Sequence, residues 1–160
     1  NVVVTSRPDA LCGDSVSMNK VIEHEISQTF HKHFLQTHAT NPLLSKETIS
    51  SAIDTYFCNL DRFDSLFSVT KHQKRFYTRS GKPICHTEGD LKRTQDLEPV
   101  YEDNSNLYLF SSDSFLASGG NRIGLKPYMF ETDFWSSMDI DYPEDLVIAE
   151  KLFKIHKDQD

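Results

Sequence analysis

Residues 45–60 carry the most regular apolar pattern in the chain. The apolar side chains recur every three or four residues, which places them along one face of a helix: Ile49, Ala52, Ile53, Tyr56, Phe57 and Leu60. Ser45 stands directly before this stripe, where its hydroxyl can cap the first turn. The pattern therefore predicts an amphipathic helix that begins after Ser45.

Short β-like runs alternate with helical patterns along the rest of the chain. Further helices are predicted over 16–30, around 112–117 and after Pro143. Strands are predicted at five places: 2–4, 34–36, from Asp64 onward, 105–110 and 126–131. This alternation indicates an α/β fold, a three-layer sandwich with a mostly parallel central sheet.

A hairpin interrupts this alternation. In the stretch KRFYTRSGKPICH two β-like runs flank Ser80-Gly81, which is a turn signal. We expect the hairpin to be an insertion, at about 74–100, in a single domain that spans residues 1–160.

Composition limits the functional classes. The net charge of -7 argues against binding to a nucleic-acid polymer, but it leaves room for a small anionic ligand. No apolar stretch approaches the roughly 20 residues that a membrane span needs. The three cysteines are odd in number and far apart, so we expect buried or incidental thiols in a reducing, cytoplasmic compartment.

The stretch MDIDYPED places two aspartates before the last helix. In an extended segment Asp139 and Asp141 point to the same side, so both carboxylates can face one Mg²⁺ ion. The alternative is a helix start, because Pro143 suits the first helical position and acidic residues suit the positive helix end. Spacing alone leaves both interpretations open.

Other polar residues follow predicted strands or lie in loops. Arg7 and Arg93 are either solvated or phosphate and carboxylate ligands. Gln36 and the stretch 104–106 are either turn residues or ligand contacts. Among the histidines only His31 and His33 form a tight pair, and no third ligand stands at zinc spacing.

Six stretches together resemble one family. They are RPDALCGD, LQTHATNPLL, FSVTKHQKRFY, RTQDLEPVYEDNSNLYLF, GNRIGLKPYMFE and MDIDYPEDLVIAE. In this order they resemble the N-acylneuraminate cytidylyltransferases, the CMP-sialic acid synthetases and their bacterial relatives, over residues 7–150.

The resemblance implies a nucleotidyltransferase fold, a homodimer and a reaction. Such enzymes join CTP to an acidic nine-carbon sugar and release pyrophosphate, with Mg²⁺ as cofactor. The hairpin resembles the dimerisation insertion of the family.

The resemblance also implies site residues. Asp139 and Asp141 match the metal-binding aspartates, and Arg7 and Asp14 match the nucleotide site. The sugar contacts that it implies are five: Gln36, Arg75, Arg93, Gln95 and Asn104. Ser105 and Tyr142 depart from the family pattern, since a glycine and a threonine are usual there.

One element of the family pattern is absent. Members open with a strand and an Ala-Arg-Gly-Gly-Ser-Lys-Gly loop whose backbone cradles the triphosphate, and no such loop occurs in these 160 residues. We therefore expect the chain to be the C-terminal part of such a domain and inactive with CTP by itself. Two alternatives stay open: a module that binds sugar or dimerises without catalysis, and a synthetase for another acidic sugar such as 3-deoxy-octulosonate.

Overall fold

The computed structural model describes residues 2–13, 15–87, 89 and 92–157. Within these residues there are four α-helices and four strands. The strands form one sheet, and helices pack on it. In chain order they are α1 Met18–Ser27, β1 His33–Thr37, α2 Lys46–Cys58, β2 Ser65–His72, β3 Val100–Ser111, α3 Ser112–Ala117, β4 Pro127–Glu131 and α4 Pro143–Lys157. Two single turns of 3-10 helix occur at Asp9–Leu11 and Thr94–Asp96.

The sheet has the strand order β1-β3-β2-β4. β3 pairs antiparallel with both β1 and β2, and β4 pairs parallel with β2. Three strands therefore run in one direction and β3 runs against them. The predicted mostly parallel sheet is confirmed for the strand directions, since three of the four strands run the same way. Two of the three strand pairs are nevertheless antiparallel, because the reversed strand β3 lies between β1 and β2.

Local signals set the helix starts as the sequence predicted. The Ser45 hydroxyl accepts a hydrogen bond from the N–H of Thr48 at 3.0 Å, and so satisfies one of the backbone donors that a helix start leaves unpaired. Ser111 forms a reciprocal capping box with Ser114 at the start of α3. α3 follows β3 directly, since its cap Ser111 is the last residue of that strand, whereas the loop 38–45 leads from β1 to α2.

Alternating side chains of β3 build a core on each face of the sheet. Leu107 and Leu109 pack with Ala52 and Tyr56 of α2 on one face. On the other face Tyr108 and Phe110 pack against α1 and α3. Each fully buried side chain of this kind stabilises the fold by roughly 1.5–3 kcal/mol. Helices thus cover both faces, which confirms the predicted sandwich.

Some predicted apolar contacts do not form. The run Val2–Val4 is not a strand, and its side chains are 82–93% exposed, because no strand pairs with it among the described residues. Phe30 is fully exposed, since α1 ends at Ser27. Phe57 and Leu60 are also largely exposed, so the buried stripe of α2 is shorter than predicted.

The segment between β2 and β3 contains a small hairpin. Tyr77 bridges Pro83, and the N–H of Thr78 donates to the carbonyl of Lys82 at 2.8 Å. Gly81 in the turn has φ 83°, a conformation that glycine adopts readily. Among the described residues no helix is long and apolar enough to cross a bilayer.

Candidate active site

A polar cavity of about 310 Å³ opens beside the start of β3. Residues of β2, of β3 and of the segment before α4 line it. Half of these side chains are carboxylates and the others are hydroxyl or amide groups: Glu102, Asp103, Asp139 and Asp141, with Thr70, Asn104, Ser105 and Ser137. So many oxygen atoms suit a hydrated cation and a polar ligand better than an apolar one.

A β-bulge in β3 shapes one wall of this polar cavity. Phe67 of β2 faces Tyr108, whereas Val69, two positions later, faces Asp103, five positions away. Such an irregularity turns side chains out of the regular pleat. Ser105, inside the bulge, has φ 58°, where an L residue is strained. The bulge places the carboxylate oxygens of Asp103 2.8 and 2.9 Å from the Tyr108 hydroxyl, which donates to them.

Asn104 ties the bulge to the rest of the sheet. It is buried, and its amide nitrogen donates to the hydroxyls of Thr70 at 3.0 Å and Thr132 at 2.7 Å. Its oxygen accepts from the Ser68 hydroxyl at 2.6 Å and from the N–H of Asn106 at 3.4 Å. An amide offers two donors and two acceptor positions, so this one is saturated by the protein. Asn104 therefore holds the wall in place, and its sugar contact stays a prediction that would require one of these bonds to break.

The loop after β1 brings the segment before α4 to the polar cavity. The amide nitrogen of Asn41 donates to the carbonyl of Met138 at 3.3 Å. The N–H of Ile140 donates to the carbonyl of Thr40 at 3.0 Å. The loop after β1 and the segment before α4 therefore meet beside the polar cavity.

Asp139 and Asp141 both line the polar cavity. Asp139 is partly buried, and one of its carboxylate oxygens accepts from the N–H of Ile140 at 3.0 Å. The Asp145 carboxylate, in the first turn of α4, accepts from the N–H groups of Asp141 at 3.1 Å and Tyr142 at 2.9 Å, which directly precede the helix. Among the described residues neither Asp139 nor Asp141 accepts a hydrogen bond from an N–H group of the first helical turn.

The two aspartates fit a magnesium ion that has few protein ligands. Mg²⁺ is usually bound by one or two carboxylates, with water and substrate phosphates in the remaining positions. Over the described parts of the chain, no group of three or more His, Cys, Asp or Glu side chains is arranged to hold a metal. A Mg²⁺ ion at Asp139 and Asp141 would thus depend on oxygen atoms of the substrate, and it stays a prediction.

A second cavity, of about 570 Å³, lies between α1 and β1. Its lining is mainly apolar, but Arg7, Gln36 and His38 add polar groups. Arg7 lies in the N-terminal segment before α1 and Gln36 lies in β1, and both line this cavity. Asp14, which was predicted to accompany Arg7, lies outside the described residues.

Sequence reasoning missed Arg122, which contacts the predicted sugar residue Gln36. Its Nη1 donates to Gln36 Oε1 at 2.9 Å, and its guanidinium carbon lies 3.7 Å from the centroid of the Tyr108 ring. Because the arginine engages the amide oxygen, the Gln36 nitrogen is the donor to His38 Nε2 at 3.0 Å. Burial first, and the Arg122 charge second, lower the pKa of His38 below 6.5, which agrees with a neutral, accepting imidazole.

The loop between α3 and β4, which carries Arg122, is fastened to the start of β2. The Asp64 carboxylate and the Ser65 hydroxyl bind three of its backbone groups: the N–H groups of Leu125 and Lys126, each at 2.9 Å, and the carbonyl of Ile123. Gly124 permits this approach, since a Cβ there would lie 2.4 Å from an Asp64 oxygen. The signal that could have revealed Arg122 is its position in a glycine-rich turn, GGNRIG.

Three other predicted residues lie on the segment between β2 and β3. Arg93 forms a two-bond ion pair with Asp96, at 2.8 and 3.1 Å, and 73% of its side chain is exposed. Arg75 donates to the Thr94 hydroxyl at 3.3 Å, and Gln95 is exposed. None of the three lines the polar cavity or the α1–β1 cavity. The structure does not bring them to these sites, and their sugar contacts stay predictions.

Comparison with known proteins decides the family. Residues 2–159 match the family model described as "Cytidylyltransferase". The chain belongs to the cytidylyltransferase family. Its members are nucleotidyltransferases, so the predicted enzyme class and the predicted family resemblance are confirmed.

Two bacterial relatives are similar in sequence. Pseudaminic acid cytidylyltransferase of Campylobacter jejuni subsp. jejuni serotype O:2 is 28% identical over 163 residues, which cover 94% of this chain and 68% of the relative. Post-translational flagellin modification protein B of Campylobacter coli is 26% identical over 120 residues, or 72% of this chain and 50% of the relative. The chain thus spans two thirds and half of their lengths.

A solved structure shares the fold. The 4-diphosphocytidyl-2C-methyl-D-erythritolsynthase of Anaerococcus prevotii superposes with a TM-score of 0.58 and 13% identity, over 88% of this chain and 68% of that one. At this identity the likeness shows the fold alone, and it confirms the predicted nucleotidyltransferase-type α/β architecture.

Proposed function

We propose that this chain forms part of an enzyme that transfers the cytidylyl group of CTP to a nonulosonic acid. The observation that carries the proposal is the meeting of two loops, which brings Asp139 and Asp141 to the carboxylate-rich polar cavity. The match of residues 2–159 to the cytidylyltransferase family supports it. The free thiols of all three cysteines suit the predicted cytoplasmic location.

The chemistry asks the protein mainly for positioning and charge stabilisation. The anomeric hydroxyl of the sugar attacks the α-phosphorus of CTP, a new oxygen–phosphorus bond forms, and the bond to the β-phosphate oxygen breaks. Pyrophosphate leaves, and the hydroxyl proton passes to solvent. A Mg²⁺ ion held by Asp139 and Asp141 would neutralise the triphosphate. Asn104 and the Asp103–Tyr108 bond keep the opposite wall rigid.

Pseudaminic acid is the first sugar to test, because the relative that matches 94% of this chain is a pseudaminic acid cytidylyltransferase. Pyrophosphate release should be measured with CTP and Mg²⁺ against pseudaminic acid, N-acetylneuraminate and 3-deoxy-octulosonate. The assay should use the 160-residue chain and, where the gene encodes further residues, its complete product. We expect the complete product to turn over a nine-carbon acid. Absence of turnover with all three acids would overturn the proposal. Sugar binding without pyrophosphate release would favour the non-catalytic alternative.

The metal prediction has its own test. Asp141→Asn should lower turnover by about 100-fold, as loss of metal affinity usually does, and should raise the Mg²⁺ concentration needed for half-maximal rate. Asp113→Asn is the matched control, because Asp113 is an exposed aspartate in the first turn of α3. Equal Mg²⁺ dependence in wild type and Asp141→Asn would show that Asp141 is not a metal ligand.

A homodimer through the hairpin belongs to the same proposal. Tyr77 and Ile84 on this hairpin are 56% and 57% exposed, and exposed large apolar side chains of this kind suit a subunit contact. Sedimentation of wild type and of Tyr77→Ser/Ile84→Ser should show a dimer and a monomer, respectively. A monomeric wild type would remove this part of the proposal.

A further inference from the structure

Arg122 is a partly buried cation without an anionic partner in the described structure. Its guanidinium lies on the face of Tyr108 and donates to the neutral amide of Gln36. Among the described residues it forms no ion pair with a carboxylate, whereas Arg93 does. Asp103 also belongs to this cluster, but its carboxylate oxygens accept from the Tyr108 hydroxyl, and no hydrogen bond joins it to Arg122 among the described residues.

A cation that leaves water needs compensation from its surroundings. The ring of Tyr108 and one amide oxygen supply part of it. A guanidinium carries five N–H donors in a planar fork, and Gln36 accepts from one of its nitrogens. The donors that remain have the geometry to bind a carboxylate or a phosphate in two bonds.

The loop also holds Arg122 in advance of any ligand. Asp64 and Ser65 fasten the backbone on the C-terminal side of Arg122. On its N-terminal side the Ser118 hydroxyl donates to the carbonyl of Asn121 at 2.7 Å. A donor held rigidly in this way loses little entropy when an anion binds.

We propose that Arg122 is an oxyanion-binding residue of the substrate site, and that Gln36 binds the same ligand beside it. This inference rests on the proposed function, since both substrates of that reaction are anions. The ligand is the carboxylate of the acidic sugar or a phosphate of the nucleotide, which present the same oxyanion chemistry. Arg122 lines neither cavity itself and reaches the α1–β1 cavity through Gln36, which lines it.

Calorimetric titration of the chain with three probes distinguishes the two sources. The probes are N-acetylneuraminate, its methyl ester, which lacks the charge, and CMP. Arg122→Met keeps the length of the side chain but removes the charge, and it should weaken binding of one anionic probe about 10-fold or more. Loss of sugar affinity together with loss of discrimination against the ester assigns the carboxylate. Loss of CMP affinity alone assigns the phosphate.

Two further variants show whether a loss of affinity comes from the missing Arg122 charge rather than from a loss of folded protein. Arg62→Met removes an exposed arginine that also lies over an aromatic ring, at 5.4 Å from the Phe63 centroid, and it should leave all affinities unchanged. Gln36→Glu supplies an internal carboxylate to Arg122, so it should raise thermal stability yet weaken the same probe as Arg122→Met does.

The outcomes separate this inference from the proposed function. Affinities that are the same in wild type, Arg122→Met and Gln36→Glu would overturn the inference, and so would a wild type that binds none of the probes. Arg122-dependent binding without any pyrophosphate release would sustain the inference and overturn the proposed function. Turnover that is the same in wild type and in Arg122→Met would overturn the inference and sustain the proposed function.

Discussion

Two regions of the molecule carry polar residues that the family resemblance assigns to sugar binding, and they differ in burial. Around Asn104 the polar groups are buried and bond to one another across β2, β3 and the segment after β4. Around Arg93 they are exposed: Arg93 pairs with Asp96, three positions away, and Arg75 donates to the Thr94 hydroxyl within the same segment between β2 and β3. Only the first region borders a cavity at the proposed site.

The difference teaches what a buried network contributes. Solvent does not reach a buried donor or acceptor, so removing its protein partner leaves that group without a hydrogen bond. An exposed ion pair exchanges protein contacts for water at little cost. The buried region should therefore control stability and the shape of the site, and the exposed region should be free to adapt to a ligand or a partner.

Asn104→Ala should have the largest effect on this contrast. It leaves the hydroxyls of Ser68, Thr70 and Thr132 without their shared partner, so the free energy of unfolding should fall by about 3 kcal/mol. Urea denaturation measures this loss. Gln95→Ala, which removes an exposed side-chain amide, is the control and should change stability by less than about 0.5 kcal/mol. Equal losses of unfolding free energy in the two variants would show that the buried region does not contribute more to stability than the exposed one.

Gly124→Ala tests how firmly the Arg122 loop is fastened. Gly119 is the matched control, because it has φ +75° against +74° at Gly124, but a Cβ at Gly119 meets nothing within 4 Å. Both variants carry the strain of a left-handed alanine, about 1 kcal/mol. Gly124→Ala should lose about 2 kcal/mol more, since its Cβ collides with Asp64. Similar melting temperatures for the two variants would contradict the close approach.

His38, beside Gln36, should make the stability of the protein sensitive to acid. Its pKa is lowered in the folded protein, so below pH 6.5 the unfolded chain binds more protons than the folded one. The stability that neutral His38 contributes is present above pH 6.5 and is lost as the pH falls through the lowered pKa. Unfolding measured at about pH 7.5 and about pH 5.5 should show a smaller acid loss in His38→Gln than in wild type. If wild type and His38→Gln lose the same free energy of unfolding between these pH values, folding does not lower the pKa of His38.

Arg93→Ala should have the smallest effect. The ion pair with Asp96 is exposed, so its removal should change the free energy of unfolding by less than about 0.5 kcal/mol. Adding salt to wild type should have an equally small effect. A loss above about 1 kcal/mol would show that this surface pair is stabilised by neighbours, and the two regions would then be more alike than their burial suggests.

Local chemistry made much of the fold predictable. The stripe of α2 and its Ser45 cap follow from side-chain spacing and hydrogen bonding within one turn, and the strand at Phe34–Gln36 follows from its apolar run. Spacing alone could not exclude Asp141 as the helix cap. That question depends on which backbone N–H groups each carboxylate reaches, and the Asp145 carboxylate binds those of Asp141 and Tyr142, just before the helix.

The site was only partly predictable, because its contacts join distant parts of the chain. The carboxylates at 139 and 141 could be found from their own spacing and from the family pattern. Arg122 stands 86 positions from Gln36, and neither residue has a local pattern that points to the other. The bulge at Ser105 likewise depends on how β3 aligns with β2.

The sequence by itself determined the order of helices and strands from residue 16 onward, the Ser45 cap and the candidate aspartates, because these depend on neighbours within a few residues. Tertiary structure alone decided that β3 lies reversed between β1 and β2, that Asn104 is saturated and that Arg122 lies on Tyr108 beside Gln36. The physical reason is that burial and hydrogen-bond partners are set by which surfaces meet, and that choice belongs to the packed sheet as a whole.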